Sequence, residues 1–261
     1  MAGVGSLVGA VLGLLAAPAA AAAAFDHSAF DALLRKHVAA GLVDYDAFAA
    51  DRSFPAYLDS LARFDPSRLG APERLAYWIN AYNTYTIALV NKHGERESIR
   101  NINKTLGVIK AKGPWQEEIV RAGGRTMSLD HVEHEIVRKE FREPRIHFAL
   151  VCAALSCPPL RSEAYTGARL EAQLDDQARA FLLRAPRSNR VDAGAGTVHL
   201  SAIFDWFRGD FPAGDAALGA WLARFFPEGA ERRLLEGGRF RIVHTRYDWT
   251  LNSLAKGRAG R

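Results

Sequence analysis

Between Leu75 and Val90 the chain carries no charged side chain. Gly70-Ala71-Pro72 opens this segment, and proline is favoured at a first helical position because its missing N–H would be unpaired there anyway. The spacing predicts one helix over Pro72 to Lys92, stopped near Gly94. That helix is apolar nearly all round, so it must be surrounded by other elements. Its asparagines, threonines and tyrosines make it too polar for a membrane span. The rest of the fold is therefore expected to wrap a central buried helix.

The surrounding segments read as short helices and hairpins. Ser28 can cap a helix with Phe30, Leu33, Leu34 and Val38 on its apolar face, ended by Gly41, and a short extended piece covers Leu42 to Tyr45. A second helix is expected over Pro55 to Arg63. Trp115 to Val120 and Arg125 to Met127 flank Ala122-Gly123-Gly124 as a hairpin, and a second hairpin joins Asn189 to Asp192 with Thr197 to Leu200. Helices follow over Ser128 to Phe141, Leu170 to Arg184, Phe204 to Phe207, Asp215 to Phe226 and Ala230 to Leu235, with a last strand over Arg239 to His244. The expected class is α+β: a helix-rich single domain with a small, mostly antiparallel sheet.

The first residues bear on compartment. Val4 to Ala24 is uncharged, with an apolar core from Leu7 to Ala17 and an alanine run that offers an A-x-A cleavage site. That core is shorter than the roughly 20 residues of a spanning helix. Residues 1–24 are read as a signal peptide, 25–261 as one globular domain, and the location as periplasmic or secreted with no stable membrane anchor after cleavage. A net charge of +5 without a basic patch gives no nucleic-acid footprint. No cofactor is implied, and no HExxH or CxxC spacing supports a metal site.

Both cysteines lie in Arg145 to Leu160. Read as a strand, Ile146 to Cys152 would put His147, Ala149 and Val151 on one face and Cys152 on the other. Cys157 lies before Pro158 and Pro159, which fix the turn. Two chemistries fit. A thiol nucleophile needs a base within reach and a group to orient the base. A Cys152–Cys157 disulfide suits an oxidising compartment and would add about 2 kcal/mol, shaping the turn more than holding the fold.

On the helix after Ser128, an advance of 100° per residue gives an apolar face of Leu129, Val132, Ile136 and Val137. Glu133 falls within that face and needs a partner or a raised pKa. It either pairs with an arginine such as Arg145 or Arg161 or orients a histidine. His134 lies on the flank of the same face and joins the candidate binding residues, while His131 points away. Asn80 and Asn83, three apart on the central helix, either bind strand ends or line a pocket and hold a carbonyl or oxyanion.

At these residues the chain resembles the domain of unknown function 547 family. The matching pieces are Tyr77-Trp78-Ile79-Asn80-Ala81-Tyr82-Asn83, Leu129-Asp130-His131-Val132-Glu133-His134, and His147-Phe148-Ala149-Leu150 through Ser156-Cys157-Pro158. Phe204-Asp205-Trp206-Phe207 and Tyr247-Asp248-Trp249-Thr250-Leu251-Asn252 also fit. The resemblance implies an exported bacterial member and no particular reaction.

Two functions remain open. The first is a thiol-dependent hydrolase or acyltransferase acting on amide or peptide-like envelope molecules. Cys157 would be the nucleophile, His147 the base and Glu133 its orienter, with Asn80 or Asn83 at the oxyanion. The second is a non-catalytic, disulfide-stabilised binding or scaffold module for a small-molecule or peptide ligand.

Overall fold

In the computed structural model, which describes residues 24–103 and 113–259, a 22-residue helix runs through the core. The elements in chain order are α1 (Ser28–His37), β1 (Val38–Ala39), β2 (Leu42–Val43), α2 (Tyr45–Ala50), α3 (Ser53–Arg63) and the central α4 (Ala71–Lys92). Then come β3 (Glu118–Ala122), β4 (Arg125–Ser128), a π-helix (His131–Val137) continuing into α5 (Arg138–Phe141), α6 (Ile146–Ala149) and α7 (Leu170–Arg184). The chain continues through β5 (Arg190–Asp192), β6 (Thr197–Ser201), α8 (Ile203–Trp206), α9 (Asp215–Ala223), α10 (Ala230–Gly237), β7 (Arg241–Thr245) and α11 (Leu254–Ala259). This is the helix-rich α+β class expected. All but the last residue of the anticipated signal peptide lie outside the described part of the chain. Among the described residues no helix is long and apolar enough to cross a membrane.

α4 is buried on every side from Leu75 to Ile87, which requires its polar groups to find partners inside. They do. Tyr77 donates to the Leu61 carbonyl at 3.0 Å and Tyr85 to that of Arg121 at 2.8 Å. Thr84 and Thr86 donate back to the carbonyls of Asn80 and Tyr82 one turn earlier. Gly94, at φ +58°, ends the helix as its position suggests, and the Glu95 N–H reaches back to the Val90 carbonyl. α2 was not anticipated. Asp44 caps it by accepting from the Ala47 N–H at 3.0 Å.

The strands form three small sheets, β1–β2, β3–β4 and β5–β6–β7. The first two and the β5–β6 pair are antiparallel hairpins. β6 and β7 are parallel, with Val198 opposite Ile242, so the chain must cross over between them. α8, α9 and α10 make that crossover. Two apolar clusters result, one around α4 and one built on Phe148, Phe181, Phe204 and Phe211, with Tyr247 packed against both.

Candidate functional site

The predicted strand over Ile146 to Cys152 is absent. Residues 146–149 form a single helical turn, α6, tied by Phe148 N–H to the Arg145 carbonyl and Leu150 N–H to that of Ile146. All four residues are buried, so the run carries no face alternation to read. Glu143 starts the turn by accepting from the Arg145 N–H at 2.9 Å. The separation of His147 and Cys152 onto opposite strand faces therefore does not hold.

The helix from Ser128 forms, with Ser128 Oγ accepting from the His131 N–H at 3.1 Å, but its middle is a π-helix. The Arg138 N–H bonds the Glu133 carbonyl, an i→i+5 link. This wider turn brings successive residues closer in azimuth than the 100° assumed from the sequence. As a result Asp130, Glu133 and His134 all face one cavity, and His131 is half-buried rather than pointing clear of the protein.

That cavity, of about 170 Å³, is walled on one side by Asp130, Glu133, His134 and His147. Tyr82 of α4 and Cys152 complete its polar lining, and Trp115, Trp206, Phe207, Tyr247 and Trp249 supply its aromatic surface. The rings touch in sequence: Trp115 to Trp249 at 5.8 Å, Trp249 to Tyr247 at 4.5 Å, and Tyr247 to Trp206 at 4.8 Å between centroids. Trp206 is 49% exposed, an unusual state for so large an apolar side chain.

Among the described residues Glu133 forms no ion pair with an arginine, although the Arg138 charge acts on it from a distance. Arg145 serves Glu143, Glu171 and Asp175, and Arg161 serves Glu163 and Asp176. The carboxyl accepts instead from the Tyr82 hydroxyl at 3.1 Å. Burial raises its pKa to about 7, with the Tyr82 hydrogen bond opposing and the nearby Asp130 charge assisting. Glu133 does not orient His147 either. Asp210 does, accepting from His147 Nε2 at 2.7 Å. Arg138 holds Asp210 from the other side through Nε at 2.5 Å and Nη2 at 3.0 Å, and donates to His134 Nδ1 at 3.0 Å. Burial would raise the Asp210 pKa, but the hydrogen bonds from Arg138 and His147 outweigh it and lower the value.

Both imidazoles are held neutral. Burial pushes His147 down to about 4 despite its Asp210 partner, and burial likewise lowers His134. Because Nε2–H donates to Asp210, neutral His147 keeps its lone pair on Nδ1, and His134, which accepts at Nδ1, carries its proton on Nε2. The His147 ring stacks on Phe207 at 4.1 Å.

Asn80 and Asn83 are not in the cavity lining. Each clamps a loop backbone by a paired hydrogen bond. Asn80 donates to the Tyr165 carbonyl at 2.8 Å and accepts from its N–H at 3.0 Å. Asn83 donates to the Ala149 carbonyl and accepts from the Val151 N–H, both at 2.9 Å. Both amides are thereby used, so neither is left to hold an oxyanion.

Cys152 and Cys157 are joined in a disulfide, so Cys157 presents no resting thiol. Cys152 lines the 170 Å³ cavity, whereas Cys157 and Pro159 line a second, larger cavity of about 590 Å³ beside Arg35, Arg161 and Asp176. The bridge is thus a partition. Its loop is held by the chain after β7: Leu155 N–H donates to the Thr250 carbonyl at 2.8 Å, Ser156 N–H to that of Asp248 at 3.2 Å, and Asn252 N–H to that of Ala153 at 3.3 Å. Asp210, Trp206, Tyr247 and Trp249 were not singled out as site residues by sequence reasoning. The aromatic members do lie in the two late motif pieces quoted above.

Residues 66–182 match a family described as a protein of unknown function, DUF547. They belong to it. The DUF547 stretch holds α4, the β3–β4 hairpin, the π-helix, His147 and both cysteines. It ends before Trp206, Phe207, Tyr247 and Trp249, which close the cavity over the DUF547 residues, and before Asp210, which orients His147. No curated protein matches the chain, and no solved structure does.

Proposed function

We propose that the protein is a disulfide-stabilised binding module whose aromatic cavity takes a small or peptide-borne ligand with a flat ring and an adjacent amide carbonyl. The observation that carries this reading is the pairing of a continuous aromatic wall with Glu133, a carboxyl that has a hydroxyl partner and, among the described residues, no ion pair. Below about pH 7 that carboxyl is protonated and donates a hydrogen bond to an acceptor. Trp206, half exposed on the rim, offers a face for ring stacking. The uncharged alanine-rich N-terminus and the disulfide support export to a periplasmic or extracellular setting.

The test is a titration of intrinsic tryptophan fluorescence with N-acetylphenylalaninamide. Saturable quenching is expected below pH 7 and weakens as Glu133 ionises. Trp206→Ala should reduce affinity by about tenfold, in line with loss of one aromatic contact. Glu133→Gln should bind with no pH dependence between 5 and 8. Absence of saturable binding to the wild-type protein at every pH would refute the reading.

A second reading has one specific support. Cys152 and neutral His147 share the cavity, and Asp210 orients His147. A thiol-dependent acyl transfer would therefore use Cys152 of an opened bridge, with His147 Nδ1 as base. Activity towards amide esters that appears only after reduction, and is lost in Cys152→Ser, would favour it over simple binding.

A further inference from the structure

The two sulfurs of the bridge are not equivalent. Tyr247 places its hydroxyl 3.1 Å from Cys152 Sγ and 3.2 Å from Cys157 Sγ. One hydroxyl has one hydrogen, so it goes to whichever sulfur carries charge. A second, fixed donor breaks the tie: the Cys152 backbone N–H points at Cys157 Sγ at 3.1 Å. Two donors therefore converge on Cys157, and among the described residues no corresponding backbone donor reaches Cys152. Access runs the other way. Cys152 is partly exposed and faces the aromatic cavity, whereas Cys157, although it borders the 590 Å³ cavity, is only 5% exposed.

In thiol–disulfide exchange the attacked sulfur must be reachable and the departing one must bear charge. From this geometry we infer that the Cys152–Cys157 bridge is an exchangeable disulfide, attacked at Cys152 by a low-molecular-mass thiol that enters the aromatic cavity. The incoming thiolate forms a bond to Cys152 Sγ. The bridge breaks, and its electron pair leaves on Cys157 Sγ, where the Tyr247 hydroxyl and the Cys152 N–H receive the charge. A second thiolate attacks the mixed disulfide and releases Cys152 as thiolate. Both cysteines then take protons from water. Two thiols are oxidised to one small disulfide, and the protein bridge is reduced.

The backbone adds a consequence. Ala153, next to the attacked sulfur, sits at φ +60°, a region that residues with a Cβ seldom occupy. The small ring helps hold it there. Opening the ring frees the loop whose partners are residues 248–252, the segment that carries Trp249. Reduction is thereby coupled to the shape of the aromatic wall.

The experiment uses the full oxidised protein in native buffer with 2-mercaptoethanol, quenched by iodoacetamide and mapped by fragment mass spectrometry. The expected result is reduction at a rate proportional to thiolate concentration, with the trapped mixed disulfide on Cys152. Tyr247→Phe removes one donor to the leaving sulfur and should slow the step about tenfold. Should that variant fold poorly, the wild-type mapping decides by itself. A rate independent of thiol concentration, set by unfolding, overturns the inference. So does a mixed disulfide on Cys157 or divided equally between the two sulfurs.

Discussion

Replacing Glu133 by glutamine isolates a pH dependence that the native protein conceals. Glu133 moves from 4.5 to about 7 on folding, and His147 from 6.5 to about 4. The raised carboxyl contributes stability that is fully present below pH 4.5 and is lost as pH rises through about 7. The depressed imidazole contributes stability that is present above pH 6.5 and is lost as pH falls through about 4. Each shift corresponds to about 3 kcal/mol at full ionisation. The two losses run in opposite directions over the same window, so together they nearly cancel in the wild-type protein. In Glu133→Gln the amide oxygen still accepts from Tyr82, and only the His147 contribution remains. The difference between variant and wild-type stability should be near zero at about pH 4 and reach about 3 kcal/mol in favour of the variant by about pH 8. Urea denaturation at five pH values, followed by far-ultraviolet circular dichroism, measures it. Two curves that stay parallel from pH 4 to 8 would show that Glu133 titrates normally, and the assignment of a protonated acid in the cavity would fail.

Further outcomes follow from packing. Asn83→Ala orphans the Ala149 carbonyl and the Val151 N–H together, and should cost about 3 kcal/mol in the same denaturation assay. Asn83→Asp should be equally damaging, because a carboxylate cannot donate to the carbonyl. Gly41, at φ +80°, lies where an added Cβ would meet Pro159 Cβ at 2.3 Å and its Cα at 2.8 Å. Gly41→Ala should therefore lower the melting temperature by several degrees, by displacing the turn after Cys157.

What could be read from the sequence depended on how local the governing physics was. α4 was legible because a stretch without charge, a leading Pro72 and a closing Gly94 all act within one helix. The hairpins were legible through Gly123-Gly124 and Gly194 to Gly196, and the Ser128 cap through its spacing from a helical run. The two nearby cysteines allow either a disulfide or a thiol nucleophile, and the structure shows the disulfide. His147 was placed on the wrong kind of element because residues 146–149 are buried on all sides, which erases the period that separates strand from helix. Its orienting carboxylate, Asp210, is 63 residues away, and nothing local marks it. Glu133 stands out in the sequence as an acid on an apolar face that needs a partner or a raised pKa, but its partner is Tyr82 rather than the expected arginine or histidine. Its azimuth was wrong because the 100° rule does not apply in a π turn. Asn80 and Asn83 were correctly seen as buried amides needing partners, and those partners are loop backbones rather than a ligand.

The π-helix also bears on how such a cavity can be gained or lost. An i→i+5 turn spends more chain than an α-helix over the same rise, so the run from 129 to 141 holds surplus residue. Deleting one position between His131 and Val137 lets the backbone relax to ordinary i→i+4 bonds while the flanking β4 and α5 keep their contacts. What changes is the direction in which Asp130, Glu133 and His134 face. Val132, Ile136 and Val137 of the same run lie in the core, so a deletion there must return them to the apolar side while it redirects the polar residues. A single-residue change in length thus acts on the acid and on the core packing beneath it together.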